Sequence, residues 1–457
     1  MNTATTAAAA ALGAPELVVL RSNLGRGRAT CTLDKMHHTT ANAMRRTMLA
    51  RLPVIGIPFE PYAKCTVVVS ANTTEETDQS IWYRLGNVPV HSLDPVLVTD
   101  YAVTLDVQNT DGDAMRLVTT ADMRLEPLRT EAAEEEAADA TTTSGGSGRN
   151  KRQRTEPLVV PGAPVVGEVF PPSEVSGDHI ALAELAPPAT AGAPSVLRLR
   201  ATFAWLAGSG AFAPNVVGYE NAQDTDAAEA AWAVKAQALR AAYAREASEL
   251  ARDNAEGAGL PEMRGTVEET LANAKHDFDL TGAKQHILPN KFVFQYEAVN
   301  RAYSLTSAWR TAADILVADL NKILGTVADD TLEYWPMGEA ASHGRTSVLP
   351  TTVVGGFGFD VILPGVDYTL GPAINHAMHE LGFSRSRAEA TGGGGDVASD
   401  RLIFCAFKQF TPDDGFGVIR LALARDEPAL VPHHIRQACA ALVDLFQAVG
   451  ALMKHKD

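Results

Sequence analysis

The chain has 457 residues, 46% of them hydrophobic, and carries a formal net charge of −16. That length asks for two or three domains, and that composition can bury an ordinary globular core. The acidic balance excludes wrapping a long nucleic acid, because phosphate binding needs clustered Lys and Arg.

The four cysteines, Cys31, Cys65, Cys405 and Cys439, share no CxxC spacing. A disulfide framework or a cysteine zinc site is therefore not expected, and a reducing, intracellular setting is. No apolar run reaches the roughly 20 residues of a membrane span.

In chain order, residues 1–14 are Ala/Thr-rich without a basic region and read as a disordered tail, not a signal peptide. Strands at Leu17–Leu20 and Thr30–Leu33 lead into a helix predicted from Thr39 or Thr40 to Leu52. Met44, Met48 and Leu52 recur there at i, i+4 and i+8, and Pro53 ends the run. Residues 61–220 read as a β-rich domain interrupted at 130–157 by a polar stretch expected to be disordered. That stretch passes from Glu134-Glu135-Glu136 to Arg149, Lys151, Arg152 and Arg154, a basic end that fits a solvated loop or a nuclear-import signal. Residues 221–286 form an Ala-rich insert with a helix over 226–255 and an apolar stripe at Trp232, Leu239, Tyr243 and Leu250.

Phe292, Phe294 and Tyr296 then alternate with Val293 and Gln295 as a strand. A helix from Ser304 to Leu324 turns Leu305, Trp309, Ala312, Leu316, Leu320 and Ile323 inward and ends at Gly325. Further on come a strand at Val361–Leu363 and a helix from Thr369 to Leu381 with Leu370, Ile374, Ala377, Met378 and Leu381 inward. A Gly-rich loop over 388–399 precedes strands at Leu402–Phe407 and Val418–Ala424. The final helix, Val431 to about Lys454, presents Ile435, Cys439, Leu442, Phe446, Val449 and Met453.

Strand, short helix, strands and long helix thus occur twice. Each long helix has an apolar face too extensive for its own small sheet, and two related units would bury such faces against each other about a pseudo-twofold axis.

Certain motifs carry a resemblance. Ala41-Asn42-Ala43-Met44-Arg45-Arg46 resembles the N-A-[LI]-R-R signature of RNA polymerase alpha and its relatives. Asn72-Thr73-Thr74 followed by Tyr83-Arg84-Leu85-Gly86-Asn87-Val88-Pro89-Val90 is similar to that family's N-T-S … H-R-L-G-L-I-P-L block. Val107-Gln108-Asn109 and Val118-Thr119-Thr120-Ala121-Asp122 resemble two of its strands. Asp367-Tyr368-Thr369-Leu370-Gly371 is similar to the D-H-T-L-G opening of the eleventh subunit of eukaryotic RNA polymerase II, and the front unit then corresponds to the third subunit. A fusion of this kind resembles those of large DNA viruses. The chain departs from the pattern at Tyr368 and Pro372 and lacks the cysteine cluster of many third subunits.

The resemblance implies an α+β fold of two alpha-like dimerisation units forming an intramolecular pseudo-dimer, with a β-rich domain inserted in the first. The first unit would take residues 15–60 and 287–330, and the second 331–457. It implies a non-catalytic assembly platform that braces the two largest subunits of a DNA-directed RNA polymerase, with small polymerase subunits as further partners. DNA would be met only through the complex. No cofactor, metal, catalytic residue or membrane contact is expected, and the setting would be host cytoplasm or nucleus, with packaging in virions.

Asn42, Arg45 and Arg46 become the expected contacts to the second-largest subunit, since a guanidinium offers five fixed donors across an interface. Arg84 fits that role or a strand-end salt bridge. Met44, Met48, Trp309, Leu316, Leu320, Ile374, Met378, Leu442, Phe446 and Val449 become the expected pseudo-dimer interface, with burial inside each unit as the alternative. A zinc-dependent hydrolase using His376, His379 and His433, or a free-standing scaffold, remains the competing reading. There is no H-E-x-x-H, G-x-S-x-G or P-loop motif to support an enzyme.

Overall fold

The computed structural model describes residues 12–23, 27–111, 113–128, 164–188, 193–207, 213–255, 266–299, 303–327, 346–389, 402–410 and 415–453. The expected disordered stretch at 130–157, most of the tail and most of the loop at 388–399 lie outside the described residues, as do Lys454 and the Leu250 side chain. Leu12, assigned to the tail, is buried.

The chain opens with an antiparallel hairpin, β1 (Glu16–Asn23) and β2 (Arg28–Asp34), in which Glu16 faces Asp34 and Asn23 faces Arg28. Alternation along β2 sends Ala29, Cys31 and Leu33 inward, as the strand period of two requires. Helix α1 (His38–Ala50) follows, and Ala41, Ala43, Met44, Thr47 and Met48 form its buried face. Next come β3 (Pro53–Gly56), β4 (Val68–Asn72), α2 (Asp78–Gly86), β5 (Tyr101–Asn109), β6 (Arg116–Thr119), β7 (Met123–Pro127), β8 (Ala181–Leu185), β9 (Ser195–Thr202) and β10 (Ala204–Ala207). Strand β11 (Asn215–Gln223), helices α3 (Thr225–Ala255) and α4 (Val267–Asp277), strand β12 (Ile287–Ala298) and helix α5 (Leu305–Thr326) complete the first half. The second half holds β13 (Ser347–Val353), β14 (Gly356–Pro364), α6 (Gly371–Glu389), β15 (Leu402–Lys408), β16 (Phe416–Leu423) and α7 (Leu430–Ala451).

Two compact units result. One contains residues 1–45, 217–296 and 313–457, and the other residues 46–216 and 297–312. The larger unit holds two four-stranded sheets, ordered β1-β2-β12-β11 and β13-β14-β16-β15. These are the same topology. In each, a hairpin is followed by a helix and then by two strands, the second of which lies between the hairpin and the first, and a long helix closes the set. The second copy is nearly bare. The first is interrupted between α1 and β11, and again between β11 and β12, where α3 and α4 are inserted.

The Ala-rich insert packs at its start. Ala228 of α3 is buried with Phe278 and Ala283, Trp232 lies against them, and Lys275 of α4 sits 5.2 Å over the Trp232 ring. Beyond Ala236 the helix is mostly exposed, with Leu239 and Tyr243 half-buried. Thr266 and Glu269 close a reciprocal cap on α4.

The smaller unit is built on the sheet β4-β9-β5-β7 with two strand pairs, β3·β10 and β6·β8. Its core gathers Ile55, Ile81, Leu85, Val103, Leu105, Phe170, Leu197 and Leu199. Asn109 is buried but satisfied, donating to the carbonyls of Ala114 and Leu185 at 2.9 and 3.0 Å.

Four expectations need correcting. Arg84 is not at a strand end: Thr77 accepts from Ser80 N–H and starts α2, which carries Arg84 in its last turn. Thr120–Asp122 is a capped 3-10 turn, with only Arg116–Thr119 in a strand. Strand β11 begins within the range read as the inserted domain, yet it hydrogen-bonds in the first sheet, and Pro53–Gly56 pairs with β10 instead of joining that sheet. Helix α6 starts at Gly371, two residues later than expected, after a turn over 368–370 in which Asp367 accepts from Thr369 N–H.

Candidate functional site

Helix α1 presents Asn42, Arg45, Arg46 and Leu49 at i, i+3, i+4 and i+7, a half-buried stripe opposite Met44 and Met48. Arg45 donates from Nε and Nη2 to Asn42 Oδ1, at 3.3 and 3.0 Å. That bond fixes the guanidinium along the helix and engages two of its five N–H donors. A preset cationic fork on a rigid helix suits a carboxylate or a row of carbonyls on a partner.

The same positions differ in the second copy. Residues 36–48 and 366–378 have one burial pattern, position for position, with Thr39 matching Thr369, Ala43 matching Ala373 and Met48 matching Met378. Where the first copy has Asn42, Arg45 and Arg46, the second has Pro372, Asn375 and His376. Asn375 is turned to its own sheet, its Oδ1 2.9 Å from Cys405 Sγ. The polar stripe therefore belongs to one copy only.

Arg84 belongs to the smaller unit. It pairs with Glu76 at 2.6 Å and donates to the Leu182 carbonyl at 3.1 Å, so the salt-bridge reading of this residue holds on a helix instead of a strand. The preceding residues of its helix, Trp82 and Tyr83, pair with the rings of Tyr62 and Phe59, and Tyr62 and Tyr83 are exposed.

Every residue expected at the pseudo-dimer interface is buried: Met44, Met48, Trp309, Leu316, Leu320, Ile374, Met378, Leu442, Phe446 and Val449. Within the larger unit, contacts between described residues join the copies, among them Thr326 Oγ1 to Thr346 Oγ1 at 3.0 Å. His37 stacks on His376 with ring centroids 3.4 Å apart, and Arg436 of α7 donates to the Val327 carbonyl after α5 at 2.9 Å. Gly450 of α7 approaches Ala313 of α5 so closely that an added Cβ would lie 3.0 Å from the Ala313 Cβ.

Sequence reasoning missed the loop-to-helix junctions. His37 Nδ1 accepts from Thr39 N–H at 3.3 Å and lies 2.9 Å from Thr39 Oγ1. Asp367 does the same for the second copy, accepting from Thr369 N–H at 2.8 Å and from the Thr369 hydroxyl at 2.9 Å. Histidine is not among the usual capping residues, and only laying residues 36–48 over 366–378 would have revealed the equivalence.

Among the described residues no group of three or more His, Cys, Asp or Glu side chains is placed to hold a metal ion. His376 stacks on His37, His379 stacks on Phe383, and His433 lies edge-on to His434, so the hydrolase reading lacks its donor set. Burial pushes the thiols of Cys31, Cys405 and Cys439 up to about 12, which keeps them protonated and unreactive. Among the described residues no helix is long and apolar enough to cross a membrane. No protein-family model matches this chain, and no curated protein matches it either.

Proposed function

We infer that the chain is a non-catalytic assembly platform of a multisubunit DNA-directed RNA polymerase, an internal pseudo-dimer that nucleates and braces the two largest subunits. The observation that carries this reading is the duplicated topology. Two sheets of one strand order, each with a short capped helix and a long buried helix, lie in one chain, and only the first bears the Asn42-Arg45-Arg46 stripe. A symmetric pair of folds with an asymmetric outer face is what a platform needs when its two catalytic partners are different proteins. Of the motifs that resemble the alpha family, those at Asn42-Arg45-Arg46 and Asp367-Gly371 lie at these elements and the others lie in the smaller unit, and fusion turns the association of the two halves into an intramolecular step.

Docking would work through binding alone. The first copy's α1 offers the cationic fork of Arg45 to the second-largest subunit, and the buried faces of α5 and α7 hold the two copies in one register. Small polymerase subunits would add to the same assembly.

Affinity purification of the full chain, with mass-spectrometric identification of what comes with it, tests the reading. Catalytic chains much larger than the bait are expected. Arg45→Glu should lower their recovery at least tenfold while leaving the circular dichroism spectrum unchanged, since the side chain lies on a half-buried helix face. Recovery equal to that of the parent would remove α1 as the docking element, and purification with no large partner would remove the polymerase assignment itself.

A further inference from the structure

The junction at His37 carries more than its place in the fold. His37 sits at the N-cap position of α1, and its Nδ1 takes the Thr39 N–H. A backbone amide can only donate, so with this bond made Nδ1 offers its lone pair and the neutral ring carries its proton on Nε2, with the Thr39 hydroxyl 2.9 Å from the same Nδ1. A second proton has only Nδ1 to occupy. There it would displace the capping bond and set a cation against the positive end of the helix dipole. It would also charge a ring that lies parallel, at 10°, to the face of His376. All three effects oppose protonation.

We propose that His37 is a proton-labile latch: one added proton uncaps α1, breaks the His37–His376 stack and loosens the first copy's helix from the second copy's α6.

The surroundings bear this out. Burial, then His376, then His38 hold His37 well below the usual imidazole range, at about 3. His376 is lowered too, chiefly by burial, although Glu380 opposes that shift while His38 and His379 add to it. Lys35, next to the junction, is tied to Glu16 on the exposed side. The matching residue of the second copy, Asp367, is a carboxylate, and a carboxylate ordinarily stays an acceptor down to about pH 4. The latch therefore exists in one copy and not in the other.

The sign follows from linkage. The closed form binds no proton at His37, whereas the open form binds one below the ordinary histidine value of roughly 6.5. Closure is complete above that pH, and each unit below it shifts the balance toward the open form by up to about tenfold, until the folded value near 3 is reached.

Hydrogen exchange of the full chain between pH 7.5 and 4.5, corrected for the intrinsic pH dependence of amides, reads the latch directly. Protection of residues 38–50 should fall with acid before protection of residues 371–383 in α6. His37→Asn supplies a non-titrating capping acceptor and should shift that loss down by at least one pH unit. Loss at an unchanged pH in His37→Asn would overturn the proposal. Because that variant replaces a packed ring, NMR titration of selectively labelled histidine in the unmodified chain provides a second reading: a His37 pKa below about 5 is expected, and one at or above the free-imidazole value would also overturn it. Neither outcome depends on the polymerase reading, since no partner is present.

Discussion

The two copies of the hairpin–helix–strands–helix plan solve one folding problem under different constraints. The second runs from hairpin to long helix with little added, whereas the first accommodates a whole β-rich unit and a helical insert without altering its strand order. What survives the insertions is local. The turn, the cap and the buried face of α1 and α6 match residue by residue, Met36 with Val366 through Met48 with Met378. Side chains differ within that buried face as well, Thr40 against Leu370, Met44 against Ile374 and Thr47 against Ala377, so what is shared is the burial pattern more than the residues. The outer stripe and the capping side chain change in chemical character, from Arg45 and Arg46 to Asn375 and His376 and from His37 to Asp367.

The long helices extend the comparison. Trp309, Ala312, Leu316, Leu320 and Ile323 of α5 correspond in burial to Ile435, Ala438, Leu442, Phe446 and Val449 of α7. The α7 face is wider, since Ala441, Leu445 and Gly450 are buried as well. The first copy thus concentrates its burial in one large side chain, while the second spreads it. Trp309→Ala should be the most damaging single change considered, costing about 3–5 kcal/mol as a cavity opens around a fully buried ring. Ile435→Val, at the matching position of α7, should cost only about 0.5–1.5 kcal/mol. Denaturant midpoints for the two variants check the contrast, and equal losses would show that the two helices are not packed in corresponding roles.

Much of this was legible in the sequence because the signals were local. Met44 and Met48 at helical spacing, the Phe292-Phe294-Tyr296 alternation and the apolar face of the last helix each report on their own element. Pairing between distant segments was not legible. Nothing near Asn215 reveals that β11 will lie beside β12 in the first sheet, since the α3–α4 insert separates them along the chain. Arg84 reads as a partner contact or a strand-end salt bridge, although Thr77 before Asp78 is a helix-start signal that places it in a helix. The Asn42-Arg45-Arg46 stripe was found through its motif, while the His37 latch was invisible until its counterpart Asp367 could be seen in the same geometry.

The turn before each short helix sharpens the comparison at smaller scale. Both copies need a left-handed residue there. Gly365 provides it in the second at φ 72°, whereas the first uses Lys35 at φ 56°, the one positive-φ residue other than glycine among the described residues. A Cβ at Gly365 would meet nothing within 4 Å, so Gly365→Ala tests backbone strain without a clash. It should cost about 1–2 kcal/mol, the usual penalty for an L-residue in that region, read as a lowered denaturant midpoint with an unchanged slope.

The reverse change completes the pair with the smallest effect. Lys35→Gly removes the strain that the first copy tolerates, but it also frees the unfolded chain at that position and breaks an exposed ion pair with Glu16. The first effect should prevail narrowly, because surface pairs of this kind add little and the glycine entropy term is smaller than the left-handed penalty. A midpoint slightly above that of the parent is expected, with a shift smaller in size than the Gly365→Ala loss. If Lys35→Gly instead destabilised the chain as much as Gly365→Ala does, the two turns would not be equivalent, and the residue-by-residue match between the copies would begin only at the helices.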